Sequence, residues 1–190
     1  MRFLFSLLLF LALCQQSIGQ TQKIPEADIQ FSLPNNKWYL TSVKNTTVPV
    51  IYTYKRDEIK DKAGRTIIPN IAFIIQDLPD SIDLVNYSLM NRQKLSFEVD
   101  EVFDCISHPE MICHKNALGF KAHYESNHLR HNIYYLNIIH AHKGIQVVMD
   151  ITADLFEEYK SEFQKAILSI ANIHNNTSDG HMTEETIKLR

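Results

Sequence analysis

Nine histidines and three cysteines are the residues of this 190-residue chain with the widest chemical reach. His140 and His142 stand two apart, a spacing that shares one face of a strand, and His123, His128 and His131 surround an expected hairpin turn. Imidazoles gathered in this way are ordinary ligands of zinc, copper and nickel, so a metal or small-ligand carrier is one chemistry to weigh. Against it, no carboxylate recurs at a ligand spacing beside these histidines, and His142 falls in a turn. Histidines on strand ends and loops account for the same pattern, and the reading assigns no metal site and no cofactor.

Cys105 and Cys113 flank Pro109, and they are the cysteines that remain once an N-terminal segment containing Cys14 is removed. An even count in an oxidising compartment favours a disulfide between Cys105 and Cys113, which would stabilise a hairpin by about 2 kcal/mol on the chain-entropy view. Two free thiols are one alternative. A zinc set with His108 and His114 is another, although neighbouring Cys113 and His114 would point to opposite sides of a strand. A redox-active pair needs a closer Cys-x-x-Cys at a helix start, which is absent.

Catalytic signatures are missing too. There is no Gly-x-Ser-x-Gly elbow and no His-Glu-x-x-His helix, and the five glycines are scattered, so no loop cradles a phosphate. Asp77 with Asp80, or Glu98 with Asp100 and Glu101, could be drawn as acid and base, but acidic loops and strand edges explain them. Tyr39, Tyr52, Tyr54, Tyr134 and Tyr135 read as strand packing. The expectation is a protein that is not an enzyme.

Met1 and Arg2 precede an apolar run from Phe3 to Leu13 that is too short to span a bilayer, the form of an export signal. Small residues at Ser17 and Gly19 place cleavage between Gly19 and Gln20. Lipoprotein processing at Cys14 is the competing reading, and bulky Leu13 counts against it. The mature chain would be periplasmic or secreted, without a transmembrane segment. Removing Arg2 from 19 basic residues, against 22 acidic ones, leaves a net charge of −4. That balance argues against nucleic acid and against broad attraction to anionic lipid.

The expected elements follow from periodicity. Ile29 to Pro34, Trp38 to Val43, Val48 to Tyr54 and Thr66 to Asp77 read as strands, with a turn at Asp61-Lys62-Ala63-Gly64. Pro79-Asp80-Ser81 opens a helix whose Ile82, Val85 and Leu89 recur at helical spacing through about Lys94. Four strands then follow: Leu95 to Cys105, Ala117 to Glu125, His131 to Ala141 and Ile145 to Ala153. A three-residue turn at His142-Lys143-Gly144 would set Ile139 opposite Val147, Asn137 opposite Met149 and Tyr135 opposite Ile151. Asp154 with Glu157 forms an acidic capping box for a last helix, with Leu155, Phe156, Tyr159, Phe163, Ala166, Ile167 and Ile170 on one stripe. The expected organisation is a signal over 1–19, a polar leader over 20–28, one domain over 29–171 and a flexible tail over 172–190.

Several strings go further than periodicity. Phe31-Ser32-Leu33-Pro34 followed by Trp38, the run from Ile68-Pro69-Asn70 to Gln76-Asp77, and Gly119-Phe120-Lys121-Ala122 ahead of a long strand pair resemble the PsbP-like family, including its DcrB-like members. The resemblance covers Ile29 to Ile170. It implies an α+β fold, an α/β/α sandwich with a central antiparallel sheet flanked by two main helices. It further implies an accessory protein that binds partners, here another envelope protein, and it carries no catalytic residue.

Overall fold

The computed structural model describes residues 19–46 and 48–173. The expected export segment up to residue 18, Cys14 within it, and the tail beyond residue 173 lie outside the described residues.

A seven-stranded antiparallel sheet forms the centre of the protein. In chain order, a small outer sheet contributes β1 (Thr21–Ile24) and β2 (Ile29–Ser32), and the main sheet begins with β3 (Trp38–Lys44) and β4 (Val50–Arg56). A two-stranded excursion follows, β5 (Ile59–Lys60) and β6 (Thr66–Ile67), before β7 (Asn70–Asp77), helix α1 (Leu84–Arg92) and β8 (Glu98–Asp104). Then come β9 (Ala117–Ser126), β10 (Leu129–His140), β11 (Lys143–Thr152), helix α2 (Ala153–Leu168) and β12 (Ala171–Asn172). The main sheet runs β3-β4-β7-β11-β10-β9-β8.

Burial explains the central strands. β7 and β11 alternate, burying Ile71, Phe73 and Ile75, and Ile145, Val147, Met149 and Ile151, against one large core. β10 is buried from Ile133 to Ile138 without a break, because both of its faces are covered. On the larger core's side the cover is α2 and the outer sheet; on the other side it is α1. The architecture is therefore α+β, a central antiparallel sheet flanked by two main helices.

α2 buries the stripe its spacing predicts, including Leu155, Phe156, Phe163, Ala166 and Ile167. Its cap differs from expectation: Thr152 holds the N-cap position with no side-chain bond, and Asp154 sits in the first turn. There its charge meets the positive end of the helix dipole. The Asp61 turn forms as its residues imply, with Asp61 Oδ1 accepting from Ala63 N and Arg65 N and Gly64 at φ 80°.

Three boundaries are corrected. Residues 20–28 are not a loose leader: β1 pairs with β2, a 3-10 turn over Pro25–Ala27 follows, and Ile24 and Ala27 enter the core. Two buried apolar residues in so polar a stretch leave no periodicity, and their partners come from distant β2 and β12. The second correction is α1, which starts at Leu84 because Asp83 caps it, its Oδ1 accepting from Asn86 N at 2.8 Å.

The third is the β10–β11 hairpin. Its turn is the two-residue Ala141-His142, both at positive φ (48° and 61°), so Ile139 faces Gly144, Asn137 faces Gln146 and Tyr135 faces Val148. Gly144 is needed for space instead of for a turn. A Cβ there would lie 2.6 Å from the Tyr87 ring and 2.7 Å from Leu78 Cδ1.

Candidate functional site

The sheet face under α1 is incompletely covered. Register places Thr53, Ala72, Val148, Tyr135 and Phe120 side by side across five strands of that face. α1 sits over one end of it, where Tyr87 rests on Gly144. Asn91 Nδ2 donates to Asn137 Oδ1 at 2.8 Å, and Tyr135 Oη donates to Gln146 Oε1 at 2.8 Å.

The helix is consequently turned opposite to its expected orientation. Its buried residues are Tyr87, Ser88 and Asn91, while Val85, Leu89 and Met90 are 61%, 55% and 47% exposed. The cause lies in the sheet. Asn137 is fully buried, and the polar side of the helix supplies an amide donor to its oxygen.

Beyond α1 opens a cleft of about 240 Å³, lined by Leu95, Ser96, Phe97, Tyr124, Ile133, Tyr135 and Val148. Phe97 packs on Tyr135 with ring centroids 5.3 Å apart, and the Arg92 guanidinium lies 4.8 Å over Phe97. At the cleft's end Tyr124 Oη donates to Asp150 Oδ2 at 2.9 Å, and His131 Nδ1 lies 2.9 Å from Asp150 Oδ1. Tyr124 also stacks on His131 at 4.9 Å.

Burial, followed by the Asp150 charge, raises the Tyr124 phenol well above its ordinary range, and burial raises Tyr135. Both hydroxyls therefore stay protonated donors. A polar recess shares Ser96 and Tyr124 with the cleft and adds Glu98, His123, Glu125 and Arg130. In it His123 lies 2.9 Å from Asp100 and 3.3 Å from Glu98.

The histidines singled out by spacing are dispersed. His131 pairs in register with Tyr124 and His123 with Asn132, so the two rings point to opposite faces of the sheet. His128 occupies the exposed β9–β10 turn at φ 61°. At the far end His140 lies 3.4 Å from Asp28, while His142 sits in the turn 2.6 Å from Asp80. Among the described residues no group of three or more His, Cys, Asp or Glu could hold a metal ion.

The expected disulfide is not seen: Cys105 and Cys113 are unbonded in this structure. The segment between them is not a hairpin. Asp104 Oδ1 accepts from Ile106 N and Ser107 N, and His108 O accepts from Met111 N and Ile112 N, winding the chain into successive tight turns. Cys105 faces the Lys115 carbonyl and Cys113 the Pro109 carbonyl. Gly19 and Gln20, the expected cleavage pair, lie beside β2, where the Gln20 carbonyl accepts from Leu33 N at 3.0 Å. Asp77 and Asp80 are engaged with Lys143 and His142. Among the described residues no helix is long and apolar enough to cross a membrane.

The cleft was not legible in the sequence, because its wall comes from the Leu95-Ser96-Phe97 segment and from β9, β10 and β11. Only Phe97, an apolar residue next to exposed Ser96 and Glu98, hints at it.

No protein-family model and no curated protein matches the sequence. Solved structures match in three dimensions. The cyanobacterial PsbP protein CyanoP of Synechocystis sp. PCC 6803 superposes with a TM-score of 0.52 at 13% identity, over 84% of this chain and 95% of that one. The Ran-binding protein Mog1p of Saccharomyces cerevisiae gives 0.53 at 10% identity, over 83% and 97%. LpqN of Mycobacterium tuberculosis, a protein involved in cell envelope biogenesis, gives 0.54 at 12% identity, over 83% and 86%. With nearly whole chains aligned around an antiparallel sheet and two helices, this protein has the PsbP/Mog1 fold.

Proposed function

We propose that this protein is an exported, non-enzymatic binding domain that engages another protein of the cell envelope through the α1 side of its sheet. One observation carries the reading: α1 turns Val85, Leu89 and Met90 to solvent on the side of the sheet that also holds the apolar cleft. Apolar side chains gathered at one place on a surface mark an interaction site more often than scattered ones do. The inversion is built in, since Asn91 and Asn137 hold the helix in this rotation. Support for a binding role also comes from the neighbours, one of which is named for binding Ran. The apolar N-terminal run from Phe3 to Leu13, read as an export signal, and the envelope role of LpqN support the location.

Site-specific photocrosslinking in the native host tests this. A crosslinker at Val85 or Leu89 is expected to trap one and the same protein, and a crosslinker at Lys62, which is exposed elsewhere, is not. Equal crosslinking from all three positions, or from none, overturns the proposal.

A further inference from the structure

The geometry points to the occupant of the cleft: we infer that it takes one large aromatic side chain from a partner segment in which lysine or arginine stands beside that residue. The inference rests on the α1 side being the binding surface, and it names the chemistry of what binds there.

Size comes first. At about 240 Å³ the cleft is smaller than the roughly 300–1,000 Å³ of ordinary small-molecule sites, and it matches a single large side chain. Its walls are Leu95, Phe97, Ile133, Tyr135 and Val148, with the Tyr124 ring at one end, so it offers ring edges and faces to an aromatic guest. Interfaces concentrate their affinity in buried anchors of this kind. The polar groups at the end of the cleft are engaged with one another: Tyr124 and His131 hold the two oxygens of Asp150. That leaves shape and apolar contact to select the guest.

Charge selects what stands beside it. The recess continuous with the cleft carries Glu98 and Glu125 against Arg130, with Asp100 alongside on His123. The same strand, β8, holds Glu98, Asp100, Glu101 and Asp104 and no basic residue, and it is an edge of the main sheet. The Glu98 side chain, next to Phe97, is 85% exposed and remains accessible to an approaching cation, whereas Glu101 farther along the strand pairs with His108. On the other side Arg92 is committed to the Phe97 ring and to the Leu95 carbonyl. A segment with positive charge next to its aromatic anchor is therefore attracted, and an acidic one is repelled.

The test uses the 15N-labelled chain from Gln20 to Arg190 and three capped peptides: Lys-Lys-Trp-Lys-Lys, Glu-Glu-Trp-Glu-Glu and Lys-Lys-Ala-Lys-Lys. The basic tryptophan peptide is expected to shift the amides of Leu95 to Phe97, Tyr124 and Val148. Its affinity should exceed that of the acidic peptide by about tenfold, and the alanine peptide should leave the cleft unshifted. Val148→Phe, which fills the cleft, and Ser96→Phe, which blocks it from an exposed position, should each abolish the shifts.

Equal binding of the acidic tryptophan peptide overturns the charge assignment and leaves the binding surface standing. Equal binding of free indole overturns the peptide assignment in favour of a small apolar ligand. No cleft shift from either tryptophan peptide overturns the inference as a whole, while the crosslinks at Val85 and Leu89 still decide the broader reading.

Discussion

Asn91 of α1 donates its side-chain amide to Asn137 of β10 at 2.8 Å, with both residues out of solvent. The contact decides which side of the helix faces outward. A helix rotated to bury Val85 and Leu89 would leave a fully buried asparagine without that partner, at the full cost of desolvating it.

Asn91→Leu is accordingly expected to destabilise the fold by about 1–3 kcal/mol, because the Asn137 oxygen loses its donor. Combining Asn91→Leu with Asn137→Leu should cost less than Asn91→Leu alone, since the apolar pair no longer buries the Asn137 oxygen without its donor. Chemical denaturation of the single and double variants checks both. A double variant less stable than the single would remove the amide pair as the reason for the helix's orientation.

Arg56 and Glu162 hold α2 to the sheet on the opposite face. The guanidinium Nε lies 3.1 Å from Oε2, Trp38 Nε1 donates to the same oxygen at 2.6 Å, and Arg56 lies 4.7 Å over the Tyr159 ring. The arginine side chain is 7% exposed and the glutamate 18%. Glu162→Ala should cost about 3 kcal/mol by leaving a buried cation unpaired. The exposed pair of Lys160 and Glu157 is the comparison. Removing it should change stability by less than about 1 kcal/mol in the same measurement.

Gly144→Ala forces a methyl group onto the Tyr87 ring and Leu78. The expected loss is about 1–3 kcal/mol, by overpacking. Tyr87→Leu in the same chain should recover part of it, read as a rise in the thermal midpoint over Gly144→Ala alone.

Both described thiols should titrate with an aromatic disulfide reagent without denaturant. Exposed Cys113 is expected to react first and half-buried Cys105 more slowly. Cys113→Ser should remove the fast phase. Finding no reactive thiol in the oxidised protein would restore the disulfide expected from the sequence.

Burial holds the His114 imidazole below its ordinary 6.5, outweighing the hydrogen bond from its Nε2 to Asn172. The unfolded chain therefore binds the proton at a higher pH than the folded one, and stability must rise with pH across the interval below 6.5. The contribution is complete above 6.5 and is lost as pH falls towards the folded value. Urea midpoints measured from pH 5 to 7.5 should show this slope, and His114→Gln should flatten it.

Strand periodicity and the α2 stripe were readable because alternation and helical spacing are local properties of neighbouring residues. Ile71, Phe73 and Ile75 declare a buried strand face wherever that strand is placed, and Leu155, Phe156 and Phe163 declare a helix face. The PsbP-like resemblance rests on the same local strings. Residues 20–28 carry no such local signal, because Ile24 and Ala27 find their neighbours across the chain.

Only the tertiary structure decided the β10–β11 turn, since two residues at positive φ compete locally with a glycine two positions away, and the Tyr87 ring over Gly144 settles the matter. It also decided the rotation of α1, because periodicity reports that a helix has an apolar side and not what the sheet beneath it needs. Asn91 meets the fully buried Asn137, and in that rotation the helix keeps its apolar residues outside, on the side of the sheet that holds the cleft.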